Sequence, residues 1–232
     1  MRTRPRGRRA SILRDNGLSL FFLALFLASL AGQAAAGQRL YNEELEAHGD
    51  VPVSFARYVT SSRFVVDVSE NWQSEFLQFT FYILATIWLL QRGSSESKQP
   101  GRQGLGTDEH ELLGPHARPD SPPLARSGGM ATKLYSSSLT SAMVAIFLAS
   151  WLAQSLAGQN EYNDEQTAHG EPRVSWVAYL AQPDFWDRTL QNWQSEFLAV
   201  GTMAIFAVYL RQRGSPESKP VGMPHHMTTS EE

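Results

Sequence analysis

Cysteine is absent from the 232 residues, which removes disulfide bridges, thiolate metal sites and a cysteine nucleophile and leaves the redox compartment unread. Charge is also scarce. Charged residues make up 19% of the chain and the formal net charge is -3, far from the basic balance of a nucleic-acid binder. The sequence has no nucleophile elbow, no glycine-rich phosphate loop and no histidine cluster within its apolar runs. A non-enzymatic protein without cofactor, metal or nucleic-acid partner is therefore the expectation. The length fits one or two ordinary domains.

What the chain does have is a copy of itself. Shifted by 121 residues, positions 18–98 align without a gap on 139–219, and about 35 of the 81 pairs are identical. Phe26-Leu27-Ala28-Ser29 returns as Phe147-Leu148-Ala149-Ser150. The longest identical block, Asn71-Trp72-Gln73-Ser74-Glu75-Phe76-Leu77, returns as Asn192-Trp193-Gln194-Ser195-Glu196-Phe197-Leu198. Arg92-Gly93-Ser94 with Glu96-Ser97-Lys98 recurs as Arg213-Gly214-Ser215 with Glu217-Ser218-Lys219.

Each copy holds two apolar runs, and a run of roughly 20 residues crosses a bilayer as helix. The expected organisation is a cytoplasmic tail over 1–16 and a membrane repeat over 17–98, with spans near 17–36 and 72–92. A flexible cytoplasmic linker over 99–132 follows, then a second repeat over 133–219 with spans near 138–157 and 193–213, and a cytoplasmic tail over 220–232. The linker is rich in Gly, Pro, Ser and charge and has no apolar periodicity, so little burial offsets its ordering entropy. The fold class expected is all-α: four transmembrane helices as two tandem parallel hairpins with structured outer loops. Two alternatives stand beside it. One is a buried hairpin of a soluble helical protein, and the other a signal peptide, since the Arg-rich start and Ala34-Ala35-Ala36 fit that pattern. An equivalent run in mid-chain, ending at Ala157, argues for an uncleaved span.

Orientation follows from arginine and lysine. Arg2, Arg4, Arg6, Arg8, Arg9 and Arg14 precede the first span, and Arg92, Lys98, Arg102, Arg118, Arg126 and Lys133 lie between the repeats. The loops inside each repeat carry few, so tails and linker are expected in the cytoplasm and both loops outside. Localisation is then a plasma (inner) membrane, multi-pass. The lipid bilayer is the first partner expected, with a second copy or another membrane protein as further candidates. Both repeats point the same way, which implies a pseudo-twofold axis along the membrane normal. Small residues at every fourth position, Ala24, Ala28, Gly32 and Ala36 in one repeat and Ala145, Ala149, Ala153 and Ala157 in the other, would let spans one and three cross closely at that axis. Alanine as ordinary helix filler is the competing reading.

The outer loops read as short helices. Asn42 would cap one, with Glu43 and Glu44 in its first turn, His48 in its last and Gly49 as terminator, and Asn163 to Gly170 repeats the pattern. Glu44 with His48, and Glu165 with His169, also share a helix face as a metal pair would, though two ligands are too few. His225-His226 reads as a solvated pair in the last tail.

Glu75 and Glu196 carry the sharper hypothesis. A carboxylate one turn inside a span should face protein or water. With Asn71, Asn192, Gln73, Gln194, Gln33 and Gln154 the two would line a polar vestibule for a cation, a proton or a small polar solute. The bland reading is an interfacial first-turn glutamate favoured by the helix dipole. Function thus divides between an envelope scaffold or interaction protein and a small transporter or channel.

The Asn-Trp-Gln-Ser-Glu-Phe-Leu block, followed by an apolar span and Gln-Arg-Gly-Ser-x-Glu-Ser-Lys, resembles a family of small bacterial integral-membrane proteins known only as a domain of unknown function. Residues 14–98 and 135–219 both carry the pattern. The resemblance implies a bacterial inner-membrane protein of four spans, and it brings no activity, substrate or catalytic residue. Leu190-Gln191 stands where the first copy has Ser69-Glu70, which leaves the acidity of the outer rim open.

Overall fold

The computed structural model describes residues 12–228. Among them the secondary structure is all helical, with nine α-helices, one 3-10 turn and no strand. In chain order these are α1 (Ile12–Asp15), α2 (Gly17–Ala47), α3 (Phe55–Val59) and α4 (Ser62–Trp88), then the 3-10 turn Gly114–His116. There follow α5 (Pro123–Arg126), α6 (Gly129–Ser136), α7 (Ser138–Ala168), α8 (Trp176–Tyr179) and α9 (Pro183–Tyr209). The boundaries of α7 and α9 are those of α2 and α4 moved on by 121.

The 31 residues of α2 measure about 46 Å at about 1.5 Å per residue, well beyond a hydrocarbon core of about 30 Å. The separate short helix expected after Ala36 does not exist. No proline interrupts residues 37–47, and Gln, Leu, Glu and Ala all favour helix, so the apolar helix continues into a polar extension. Asn42 is interior to it and caps nothing. Its side chain instead holds the returning chain: Nδ2 donates to the Val53 carbonyl at 3.1 Å, and Oδ1 accepts from the Val53 N–H at 2.8 Å. The expected stop does occur. His48 is the C-cap, and Gly49 takes a φ of +83°, which only glycine adopts without strain. On α7, Asn163 clamps Val174 at 3.0 and 2.7 Å, and Gly170 terminates the helix.

Both α2 and α7 are long and apolar enough to cross a membrane. The expected second spans are helical for a shorter distance. α4 ends at Trp88 and α9 at Tyr209, each four residues before the arginine expected to close the span, and Leu210 is already extended. Pro183 opens α9, where its missing N–H costs nothing, and Asp184 lies in the first turn.

The chain forms two compact units that divide between Val65 and Val66, inside α4. In the first, α3 packs on the polar extension of α2. Tyr58, 2% exposed, sets its ring 5.9 Å from Tyr41 and 5.5 Å from Phe64. Its hydroxyl lies where a Cβ on Gly37 would fall, so this close approach requires glycine. Elsewhere α2 is largely exposed, with Ala34 its one buried residue.

In the second unit, Trp151 of α7 lies among Phe147, Phe185, Trp186 and Trp193 at centroid distances of 5.4 to 6.3 Å. Phe81 of α4 stacks on Phe197 of α9 at 5.9 Å. Residues 99–132, expected as a linker, hold the 3-10 turn and α5, and Thr132 of α6 donates to the Leu124 carbonyl at 2.7 Å.

Candidate functional site

Burial in the second unit gathers polar groups from α4, α7 and α9. Gln154 and Glu161 are seven apart on α7 and so share a face. Asp184 and Arg188 are one turn apart on α9, and Glu70 comes from α4. Arg188 is the hub. Its guanidinium lies 3.7 Å from Glu70 Oε2, 3.5 Å from Glu161 Oε2 and 3.4 Å from Asp184 Oδ1. The other Asp184 oxygen accepts the Tyr179 hydroxyl proton at 2.8 Å. One cation thus serves three carboxylates from three helices.

Electrostatics follow from this crowding of carboxylates around one guanidinium. Burial pushes the Glu70 carboxyl up to about 7; Arg188 opposes the rise, while Asp67 and Glu161 add to it. Burial would lower the Arg188 guanidinium, but Glu161, Asp184 and Glu70 outweigh it and hold the group above its usual range. The Tyr179 phenol is raised by burial first and then by its bond to Asp184. Glu70 Oε2 is shielded from solvent and accepts no hydrogen bond, so the long ion pair is its compensation.

Below this cluster runs a seam of neutral polar side chains. Gln73, fully buried, accepts the Trp193 indole N–H at 2.7 Å and donates to the Glu70 carbonyl at 3.1 Å. Gln154, 1% exposed, donates to Thr189 Oγ1 at 3.3 Å, and its own Oε1 is buried without a hydrogen-bond partner. Trp176 donates to Ser155 Oγ at 3.1 Å.

The residues expected to form a vestibule separate into three groups. Gln73 and Gln154 are buried in the seam. Asn71 and Asn192 turn back on their own helices, donating to the Asp67 and Arg188 carbonyls at 2.7 and 2.9 Å. Gln33, Gln194 and Glu75 are exposed, while Glu196 is half-buried and within electrostatic reach of Glu75. An open depression of about 570 Å³ lies instead on the second Gln-Arg-Gly-Ser motif, lined by residues that include Arg213, Ser215 and Lys219.

The small-residue positions Ala24, Ala28, Gly32 and Ala36 are all exposed; Ala145 and Ala149 are exposed, Ala153 half-buried and Ala157 buried. The two Glu/His pairs use their side chains otherwise. His48 and His169 each donate from Nδ1 to a backbone carbonyl one turn back, of Glu44 and Glu165, both at 2.8 Å. The Glu44 carboxylate pairs with Arg63 at 2.8 Å.

A second junction brings the two Gln-Arg-Gly-Ser-x-Glu-Ser-Lys motifs together. Ser95 donates to the Glu217 carbonyl at 2.9 Å, and Tyr82 donates to Glu96 at 3.1 Å. Burial raises the Glu96 carboxyl, as does its hydrogen bond with the Glu217 side chain, while the bonds from Tyr82 and Ser95 oppose the rise. Lys219 is 1% exposed, and its ammonium donates to the carbonyls of Pro224, His225 and Met227 at 3.3, 3.0 and 3.0 Å. His225, expected as part of a solvated pair, donates from Nδ1 to the Val208 carbonyl at 3.0 Å.

Neither Arg188 nor its partners stood out in the sequence. A signal was there, in the difference between the copies rather than their likeness. Glu161 stands against Leu40, Asp184 against Arg63, Arg188 against Asp67 and Glu70 against Gln191. Charge enters or reverses sign at each member of the cluster.

These features define an all-helical protein with two helices able to cross a membrane and a buried charged junction. The chain belongs to the family described as a domain of unknown function, DUF6766, whose model matches residues 9–230. No curated protein and no solved structure matches it.

Proposed function

We propose that the protein is a multi-pass membrane scaffold or interaction protein without enzymatic activity. Two tandem hairpins make four spans, and the tails and the 99–132 linker lie in the cytoplasm. The observation that carries this reading is the surface of α2. Its most apolar 18-residue window is only 6% buried. A soluble chain would have to hide such a helix, and lipid covers it without further contacts. Residues 72–92 and 193–213 supply the second and fourth spans, and the turns of α4 and α9 that precede them lie at the outer surface. Reporter fusions at Ala47 and Ala168 read outside and fusions in the linker read inside. Reporters at Ala47 on the cytoplasmic side, or a chain that stays soluble without detergent, overturn the reading.

The second reading, a small transporter or channel, is favoured by the nearness of Glu75 and Glu196 and by the buried glutamines of the seam. Proteoliposomes separate the two. A scaffold gives no flux of protons, monovalent cations or small polar solutes. Flux that is lost in the double variant Glu75→Gln, Glu196→Gln assigns transport to that pair.

A further inference from the structure

We infer that the junction of α4, α7 and α9 is a proton-responsive clasp, in which Glu70 gains and loses one proton and so tightens and loosens the contact of α4 with its neighbours. Charge and geometry carry it. Arg188 faces Glu70 from α9 with Asp184 beside it, Glu161 faces it from α7, and Asp67 lies one turn back on α4. Tyr179 of α8 touches the cluster through Asp184. With every carboxylate ionised, Glu70, Glu161 and Asp184 gather around one guanidinium, and the charges of Asp67 and Glu161 oppose that of Glu70. A proton on Glu70 removes the charge that is held least well, since its ion pair at 3.7 Å is the longest of the three and too long for a hydrogen bond.

Glu70 binds its proton more tightly in the folded chain, up to about 7 against an ordinary 4.5. Its contribution to stability is therefore greatest at low pH and is lost as pH rises through that window. Acid closes the clasp and alkali opens it. The clasp works the same way in either orientation of the chain in a membrane.

Trp193 is the built-in reporter, because its indole bonds Gln73, one turn from Glu70. Tryptophan emission and acrylamide quenching of the full chain in detergent, titrated from pH 5 to 9, give a one-proton transition with a midpoint near 7 and greater quenching on the alkaline side. Glu70→Gln abolishes that transition and keeps the low-quenching state at all pH values. Asp67→Asn moves the midpoint to lower pH, because it removes a neighbouring negative charge. The parent and the two variants share every other side chain, so a signal from elsewhere in the chain cancels in the comparison. A transition unchanged in Glu70→Gln, no transition in the parent, or a midpoint unmoved by Asp67→Asn overturns the clasp.

Discussion

The two segments that align at a shift of 121 residues agree on the backbone and disagree on charge. In the first, Asn42 clamps Val53 at 2.8 and 3.1 Å and Gln38 donates to the same carbonyl at 3.0 Å. In the second, Asn163 and Gln159 treat Val174 the same way at 2.7, 3.0 and 3.0 Å. Glycine under tyrosine recurs, Gly37 beneath Tyr58 and Gly158 beneath Tyr179. The charges around this frame diverge. Arg63 and Asp67 become Asp184 and Arg188, one turn apart in both copies with the signs exchanged. Backbone N–H and C=O groups must be satisfied whatever the side chains do, which fixes the clamps. Ion pairs carry no such obligation and can differ between the copies.

The comparison is tested most severely at the two arginines. Arg188→Ala leaves Glu70, Glu161 and Asp184 without their cation at side-chain exposures of 20, 14 and 32%. Breaking such a buried pair costs about 3 kcal/mol or more, read as a lower Tm in detergent. Arg63→Ala removes a pair whose Glu44 partner is 47% exposed, and exposed pairs contribute only about 0–1 kcal/mol. Equal losses would mean that the charge reversal between the copies has no energetic consequence.

Glycine comes next. A Cβ on Gly37 would collide with the Tyr58 hydroxyl, and one on Gly158 with that of Tyr179. Both tyrosines are buried, so the ring cannot swing clear without moving its neighbours. Overpacking of this kind costs about 1–3 kcal/mol. Gly158→Ala also displaces Tyr179 from Asp184, which it bonds at 2.8 Å, and so disturbs the Arg188 cluster. Thermal melts of the two variants rank them directly.

The clamps are third. Asn163→Ala strips both bonds from Val174, and Asn163 is 3% exposed. Leaving such groups unsatisfied costs about 1–3 kcal/mol. Asn42 is only half-buried, water can replace its amide more easily, and Asn42→Ala should fall at the lower end. Proteolysis of the 48–61 and 169–182 segments measures both, through faster cleavage in the affected copy.

Apolar runs and their terminators were legible in the sequence. Leu18 to Ala36 and Leu139 to Ala157 lie inside long helices, and the stops at Gly49 and Gly170 are where glycine was read as terminator. The helix through Asn42 was not, because an asparagine followed by two acids looks the same whether it caps a new helix or reaches eleven residues ahead to Val53. That choice is made by tertiary contact. The ends of α4 and α9 were misplaced for a related reason. Leu89-Leu90 is as apolar as the helix before it, and no local signal marks Trp88 as the last turn. Of the expected vestibule, burial selected Gln73 and Gln154 and left Gln33 and Gln194 outside, which depends on the facing helix and not on residue type.

The smallest expected effect is also the one that should be the same in both copies. Ser54 and Ser175 cap the short helices α3 and α8, accepting from the Arg57 and Ala178 N–H groups at 3.4 and 3.3 Å. Both bonds are long and exposed, and neither serine touches the charged cluster. A cap of ordinary geometry contributes about 1 kcal/mol, so each alanine variant should lose no more than about half of that. The losses should match, because the two cap bonds share their geometry and neither serine hydroxyl bonds a charged group. Unequal changes in Tm for Ser54→Ala and Ser175→Ala would show that the charge differences spread beyond Arg188 into the common frame. Equal small changes confine the divergence to the residues where the two copies differ in sign.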